Sequence, residues 1–450
     1  MSIKLVSTAM SVFLLWGFLL KASAKEEKGK IFPYPYQEKT LKNGLRVIII
    51  PMKSPGLVSY YTIVRTGSRD EYEPGHSGFA HFFEHMMFRG TKKYPGPLYD
   101  KLITEMGADA NAYTSNDLTC FHLNFTSGDL EKVMELESDR FQHLCYTEQA
   151  FKTEAGAVHG EYLKDLSSPF FTLEEKLMDT AFRKHTYKHT TMGFKKDIEA
   201  MPAMYEYSKS FFRRYYRPEN VVLLIVGDVD PLSTFNLVKK YYGKWEKGYV
   251  PPKIPVEPEQ NGERRAEVKF NGRTLPILAI AYKSPAFDPE NIEMGACYLM
   301  GDLIFGETSD LYKKLVLDEQ RVQFISADFS ASRDPGLFII YTMIKKEDDI
   351  QSVEKEIYSA IKYFQTHKVG KTKLEDIKSN FRYSFLMGLD TPDRVADNVA
   401  RIIAMTGDIK AVDQLYRNLE KVTPENILDA ANKFLIRDKR TVVILKGREK

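Results

Sequence analysis

GHSGFAHFFEHMMFRG, residues 75–90, places His81, Glu84 and His85 in a His-x-x-Glu-His spacing. Residues three and four apart are neighbours on an α-helix, so two imidazoles can converge on one ion while the carboxylate of Glu84 projects beside them. Gly75 and Gly78 precede the run and Gly90 follows it, with Phe79, Ala80, Phe82, Phe83, Met86, Met87 and Phe88 between. A short helix, apolar nearly all round, is therefore expected, and it must be buried. Two His and a Glu in a buried helix have to be paired or metal-bound, because an unpaired buried charge costs several kcal/mol, roughly. A His pair satisfied by backbone carbonyls, with Glu84 in a salt bridge, is the bland alternative. The order inverts the commoner His-Glu-x-x-His zinc signature.

A catalytic zinc site usually takes three protein ligands and keeps a fourth position open. Residues 146–166, YTEQAFKTEAGAVHGEYLKDL, read as a helix with Thr147 as N-cap, and they carry Glu154 and Glu161 seven residues apart, two turns up one face. Either carboxylate can reach a metal held by another helix. His159 lies off that face.

The stretches LKNGLRVIIIP, RTGSRDEYEPGHSGFAHFFEHMMFRGT, GADANAYTSNDLTCFHL and FKTEAGAVHGEYL resemble the insulinase and pitrilysin family of zinc peptidases, the inverzincins, and most of all its two-domain mitochondrial-processing-peptidase-like branch. The resemblance runs over nearly the whole chain beyond its N-terminus. It implies an α+β fold of two similar α/β sandwich domains, each an antiparallel-rich sheet with helices packed on it. It assigns His81, His85 and Glu161 to zinc and Glu84 to the general base. Glu154 matches a further acidic residue of the family's catalytic machinery, one that supports the site without binding the ion. Asn111 and Ala112, in ANAYTS, match edge-strand positions that dock substrate backbone. The implied chemistry is hydrolysis of extended or unfolded peptides, with zinc lowering the pKa of water towards about 7 and Glu84 taking the proton. Substrate would bind as an added β-strand.

The whole chain allows this. It has 450 residues, enough for two ordinary domains, with 43% hydrophobic content to furnish their cores. Lys plus Arg number 64 against 61 for Asp plus Glu, a net charge of +3 that gives no argument for nucleic acid. The basic aromatic run FFRRYYR, residues 211–217, reads as a partly packed helix end rather than a binding patch. At the N-terminus, Lys4, the apolar stretch from Leu5 to Leu20 and Ala22-Ser23-Ala24 read as a signal peptide over residues 1–24. That implies an exported protein, periplasmic or secreted, with no stable membrane span after cleavage; an uncleaved anchor is the alternative. Cys120, Cys145 and Cys297 are too scattered for a disulfide framework, though a Cys120–Cys145 bridge is open in an oxidising compartment.

The organisation suggests a duplication. A zinc-bearing domain over residues 36–248 is followed by VPPKIPVEPEQNGERR, rich in Pro and charge, which marks a linker at 249–264. The order of strands and helices then repeats over 265–450, and Pro-Glu-Asn recurs in YRPENVVLLIVGDVD and VTPENILDAANKFL. The second domain has no His in ENIEMGACYLMGDLIFG, its counterpart of the zinc helix, so it is expected to be non-catalytic and to complete a chamber over the site. The resemblance further implies that such halves bring an Arg and a Tyr, seven apart on a strand, to hold substrate. Here Phe338 and Lys345 occupy those places in GLFIIYTMIKK. A dimer with a related, metal-free subunit is the expectation that follows. Two other classes stay open: a non-catalytic structural or partner subunit, and a zinc hydrolase acting on a non-peptide amide.

Overall fold

The computed structural model describes residues 30–448, so the expected leader at 1–24 lies outside the described residues. Among the described residues no helix is long and apolar enough to cross a membrane. The first half carries strands β1 (Gln37–Thr40), β2 (Arg46–Pro51), β3 (Leu57–Val64), β4 (Asp109–Thr114), β5 (Thr119–Thr126) and β6 (Val221–Gly227). Its helices are α1 (Phe79–Met86), α2 (Gly96–Glu105), α3 (Leu130–His143), α4 (Glu148–Asp165), α5 (Pro169–Ala181), α6 (Lys195–Ala200), α7 (Tyr205–Tyr215) and α8 (Pro231–Tyr242). The run FFRRYYR does close a packed helix: Phe211, Tyr215 and Tyr216 are buried at the end of α7.

The second half contributes strands β7 (Arg264–Lys269), β8 (Ile277–Lys283), β9 (Val322–Phe329), β10 (Leu337–Ile344) and β11 (Arg440–Lys446). Helices α9 (Ile292–Phe305), α10 (Asp310–Tyr312), α11 (Ile350–Thr366), α12 (Lys371–Met387), α13 (Pro392–Thr406), α14 (Lys410–Lys421) and α15 (Pro424–Phe434) accompany them. The two sheets share one wiring. In the first, β2 runs parallel to β6, then β6–β3, β3–β5 and β5–β4 pair antiparallel. In the second, β7 runs parallel to β11, then β11–β8, β8–β10 and β10–β9 pair antiparallel. Among the described residues only β1, on the outer edge of the first sheet, has no counterpart. The fold is α+β with two sheet-containing halves, and β9 is the equivalent of β4.

The Pro-Glu-Asn repetition does not mark equivalent positions. Pro218–Asn220 form a 3-10 turn leading straight into β6, whereas Pro424 opens α15 behind its Thr423 N-cap. The structural partner of α15 is α7, the helix before the closing strand. The stretch between the halves is pinned at its middle. Glu257 accepts hydrogen bonds from the backbone N–H groups of Arg183, Lys184 and His185, and β7 begins at Arg264.

Strands β2, β3 and β6 are apolar on both faces because both faces are covered, which is why they read as continuous apolar runs. Val47, Ile49, Tyr60, Leu223 and Ile225 share a core with Phe82, Phe83 and Phe211 of their own half. On the opposite face Ile48, Ile50, Ile63, Leu224 and Val226 meet Val395, Val399 and Ile403 of α13, from the second half. The second sheet returns the arrangement: Ile277, Ala279, Ile339 and Val443 pack on Leu173 and Leu177 of α5, from the first half. Each half thus lends a helix to the other's sheet. Cys120 is buried under α13, Cys145 is exposed, and all three cysteines are free, so the Cys120–Cys145 bridge does not form.

A polar latch joins the halves just upstream of α1. Asp334, in the β9–β10 loop, accepts from Arg69 Nε at 2.5 Å and lies 3.0 Å from His185 Nε2. Beside it Arg333 donates to the Arg65 carbonyl at 2.9 Å and its backbone N–H to Asp117.

Candidate metal centre

Helix α1 forms where expected and is buried through Phe79, Ala80, His81, Phe82, Phe83 and Met86. Its N-cap, Gly78, sits at φ +93°, and a Cβ there would come within 2.7 Å of the Met192 carbonyl, so only glycine fits. Gly78 has no side chain to cap the helix. The buried carboxylate of Glu71 does so instead, accepting from Gly78 N at 2.7 Å and Ala80 N at 2.6 Å. Helix α4 starts at Thr147, whose side chain accepts from Ala150 N as an N-cap.

The two helices bring His81, His85 and Glu161 together. One ligand atom from each lies within 4.8 Å of the others. Glu161 Oε2 stands 3.7 Å from His81 Nε2 and 3.2 Å from His85 Nε2. Donors on a tetrahedral ion with bonds of about 2.1 Å are separated by about 3.4 Å, so the spacing suits zinc. Two imidazoles and a carboxylate are also a common zinc donor set. Burial, reinforced by His85, pushes His81 down to about 4, so its ring is neutral and can ligate. His159, on the same helix, is not part of this group.

Glu154, one face-repeat before Glu161, is 2% exposed and does not join the three ligands. It lies 3.0 Å from His85 Nδ1 with one oxygen and accepts from Arg89 with the other. Burial raises its carboxyl, but hydrogen bonds from His85 and Arg89 together outweigh this and leave it lowered. The same contact raises His85. Glu84 projects beside the His pair, half-buried, and accepts from Thr114 Oγ1 through Oε2 at 2.6 Å. Burial raises its carboxyl while Thr114 and His85 lower it, with a net rise.

Asn111 and Ala112 lie on β4, the outermost strand, which among the described residues pairs with β5 alone. Ala112 packs towards the core of α1, whereas Tyr113 packs under α13. Asn111 shares the face of Tyr113, and its Oδ1 accepts from Ala112 N at 2.8 Å. From Thr114 a cavity of about 740 Å³ opens between the halves, lined also by Tyr298, Asp302, Asp328 and Arg401 of the second half. Phe338 does not face it: this residue is fully buried against Phe305, and Lys345 follows the end of β10 with an exposed side chain. Neither lines that cavity. Sequence alone does not single out Glu71, Arg89 or Thr114. Only Arg89, four residues after His85 on the same face, had a periodic signal.

Duplicated α+β halves of this build are those of M16-like peptidase structures. A protease from Helicobacter pylori superposes with a TM-score of 0.86 at 27% identity, covering 92% of this chain and 99% of that one. The periplasmic protease PqqL from Escherichia coli gives a TM-score of 0.76 at 19% identity, and 93% of this chain matches 48% of it. Residues 49–195 match the family described as "Insulinase (Peptidase family M16)", and residues 204–381 match "Peptidase M16 inactive domain". The chain belongs to the M16 peptidase family. Among its relatives, zinc protease PqqE of Helicobacter pylori is 28% identical over 421 residues, covering 91% of this chain and 93% of that protein. A mitochondrial-processing peptidase subunit beta of Lentinula edodes is 24% identical, with 93% of each chain covered.

Proposed function

We propose that this chain is a zinc-dependent endopeptidase acting on extended or unfolded peptides. The observation that carries the proposal is the convergence of His81, His85 and Glu161, with Glu84 beside them and the free edge of β4 alongside. His81, His85 and Glu161 would hold the ion, which when bound supplies Lewis acidity to the scissile carbonyl and to water. Glu84 would accept the proton of the attacking water and return it to the leaving amine. Glu154 would hold the His85 ring through Nδ1. Asn111 and Ala112 would present the backbone against which substrate pairs as a further strand. The second half, beyond a junction at residues 249–264, would form the far wall of the cleft without binding metal. Since Phe338 and Lys345 offer no clamp, a related metal-free subunit would supply it in a dimer, and the leader at 1–24 would direct export.

The test is a mixed-peptide digest by the purified chain, with and without a zinc chelator, beside Glu84→Gln. Chelator-sensitive cleavage is expected, and Glu84→Gln should keep zinc but lose turnover. Undiminished cleavage by the zinc-loaded variant would overturn the assignment; cleavage absent from the chain alone but restored by a metal-free homologue would identify the partner.

A further inference from the structure

Thr114 ends β4, the strand whose outer edge has no strand partner among the described residues, and its hydroxyl reaches across to α1. Its bond to Glu84 Oε2, at 2.6 Å, is the one hydrogen bond made by that carboxylate among the described residues. A carboxylate on a half-buried side chain has several rotamers, and one short hydrogen bond to a fixed strand selects among them. Thr114 itself is held. It pairs with Thr119 of β5, whose Oγ1 donates to the Thr66 carbonyl at 3.0 Å.

We infer that Thr114 is a positioning residue for the proton-transfer step: its hydroxyl occupies Oε2 of Glu84 and leaves Oε1 to face the reacting water. This rests on the proposed role of Glu84 as general base. It also places base orientation and strand docking on one element, so a peptide paired along Asn111 and Ala112 lies in fixed register with the oxygen that takes the proton. The strand-register equivalent of Thr114 in the second half is Phe329, which meets Tyr298 edge-on and has no hydroxyl to offer.

The experiment compares Thr114→Val, which keeps the shape and deletes the hydroxyl, with Thr114→Ser, which keeps the hydroxyl. Thr114→Val should lower kcat by about tenfold or more, with KM and zinc affinity by chelator competition unchanged. Thr114→Ser should restore kcat to near the parent value. In the Glu84→Gln background Thr114→Val should cost nothing further. A parent-like kcat for Thr114→Val would overturn the inference, as would a rise in KM or a loss of zinc affinity with kcat unchanged, which would mean that the hydroxyl only ties β4 to α1. If Thr114→Val does not fold, Thr114→Ala against Thr114→Ser gives the same comparison. An active Glu84→Gln variant refutes the base assignment itself; an inactive one beside a fully active Thr114→Val refutes the inference alone.

Discussion

At the scale of single residues, Glu154 orients one of the two His rings, that of His85. One of its oxygens meets His85 Nδ1 and the other Arg89, which fixes the ring with Nε2 towards Glu161. Outer partners of this kind set both the tautomer and the basicity of a ligand. Glu154→Gln keeps the shape and removes the charge, so zinc affinity is expected to fall by about 10–100-fold in chelator competition. The melting temperature of the zinc-free protein should change much less, and an unaltered affinity would show that Glu154 does not support the metal site. The family resemblance alone chose Glu161 over Glu154, whereas His81 and His85 were legible in sequence as a pair because helical period converts spacing directly into faces. Glu84 was legible for the same reason, but its bond to Thr114 was not. That contact joins a helix to a strand, and spacing carries no record of the path between them.

At the scale of elements, α1 is held at its start by a residue outside it. Gly78 was forced on the N-cap by close packing with the Met192 carbonyl, and a Ser or Asp cap is thereby excluded. Glu71 takes over the capping from the preceding loop. Glu71→Ala leaves two buried N–H groups without acceptors, at a cost of about 1–3 kcal/mol in a denaturant titration. Because His81 follows Ala80 directly, zinc affinity should drop in the same variant; a loss of stability with unchanged affinity would show that the cap serves the fold alone. The strands were readable from their apolar runs, and β4 was recognisable through ANAYTS. The cross-covering by α5 and α13 was not readable. Their amphipathic period says that one face is buried but not which sheet buries it, and both helices pack on the sheet of the other half.

At the scale of the molecule, this exchange packs each half against the sheet of the other, and the latch at Asp334 stands where they meet. Burial pushes the Asp334 carboxyl up, but the hydrogen bonds of His185 and Arg69 outweigh this and hold it well below the usual carboxylate range. A carboxylate depressed in the folded state contributes stability above its unfolded value of about 3.9 and loses that contribution as pH falls below it. Asp334→Asn should therefore melt at a lower temperature than the parent at pH 7, and the gap should narrow as pH is taken below about 4. Arg69 is the nearest donor and precedes Glu71 by two residues, so loosening the latch also reaches the segment that caps α1. Under the proposed function, the variant is thus expected to lose part of its peptide turnover at pH 7 while retaining His81, His85 and Glu161. A melting difference that stays constant from pH 7 to pH 3 would show that the carboxylate charge has no part in joining the halves.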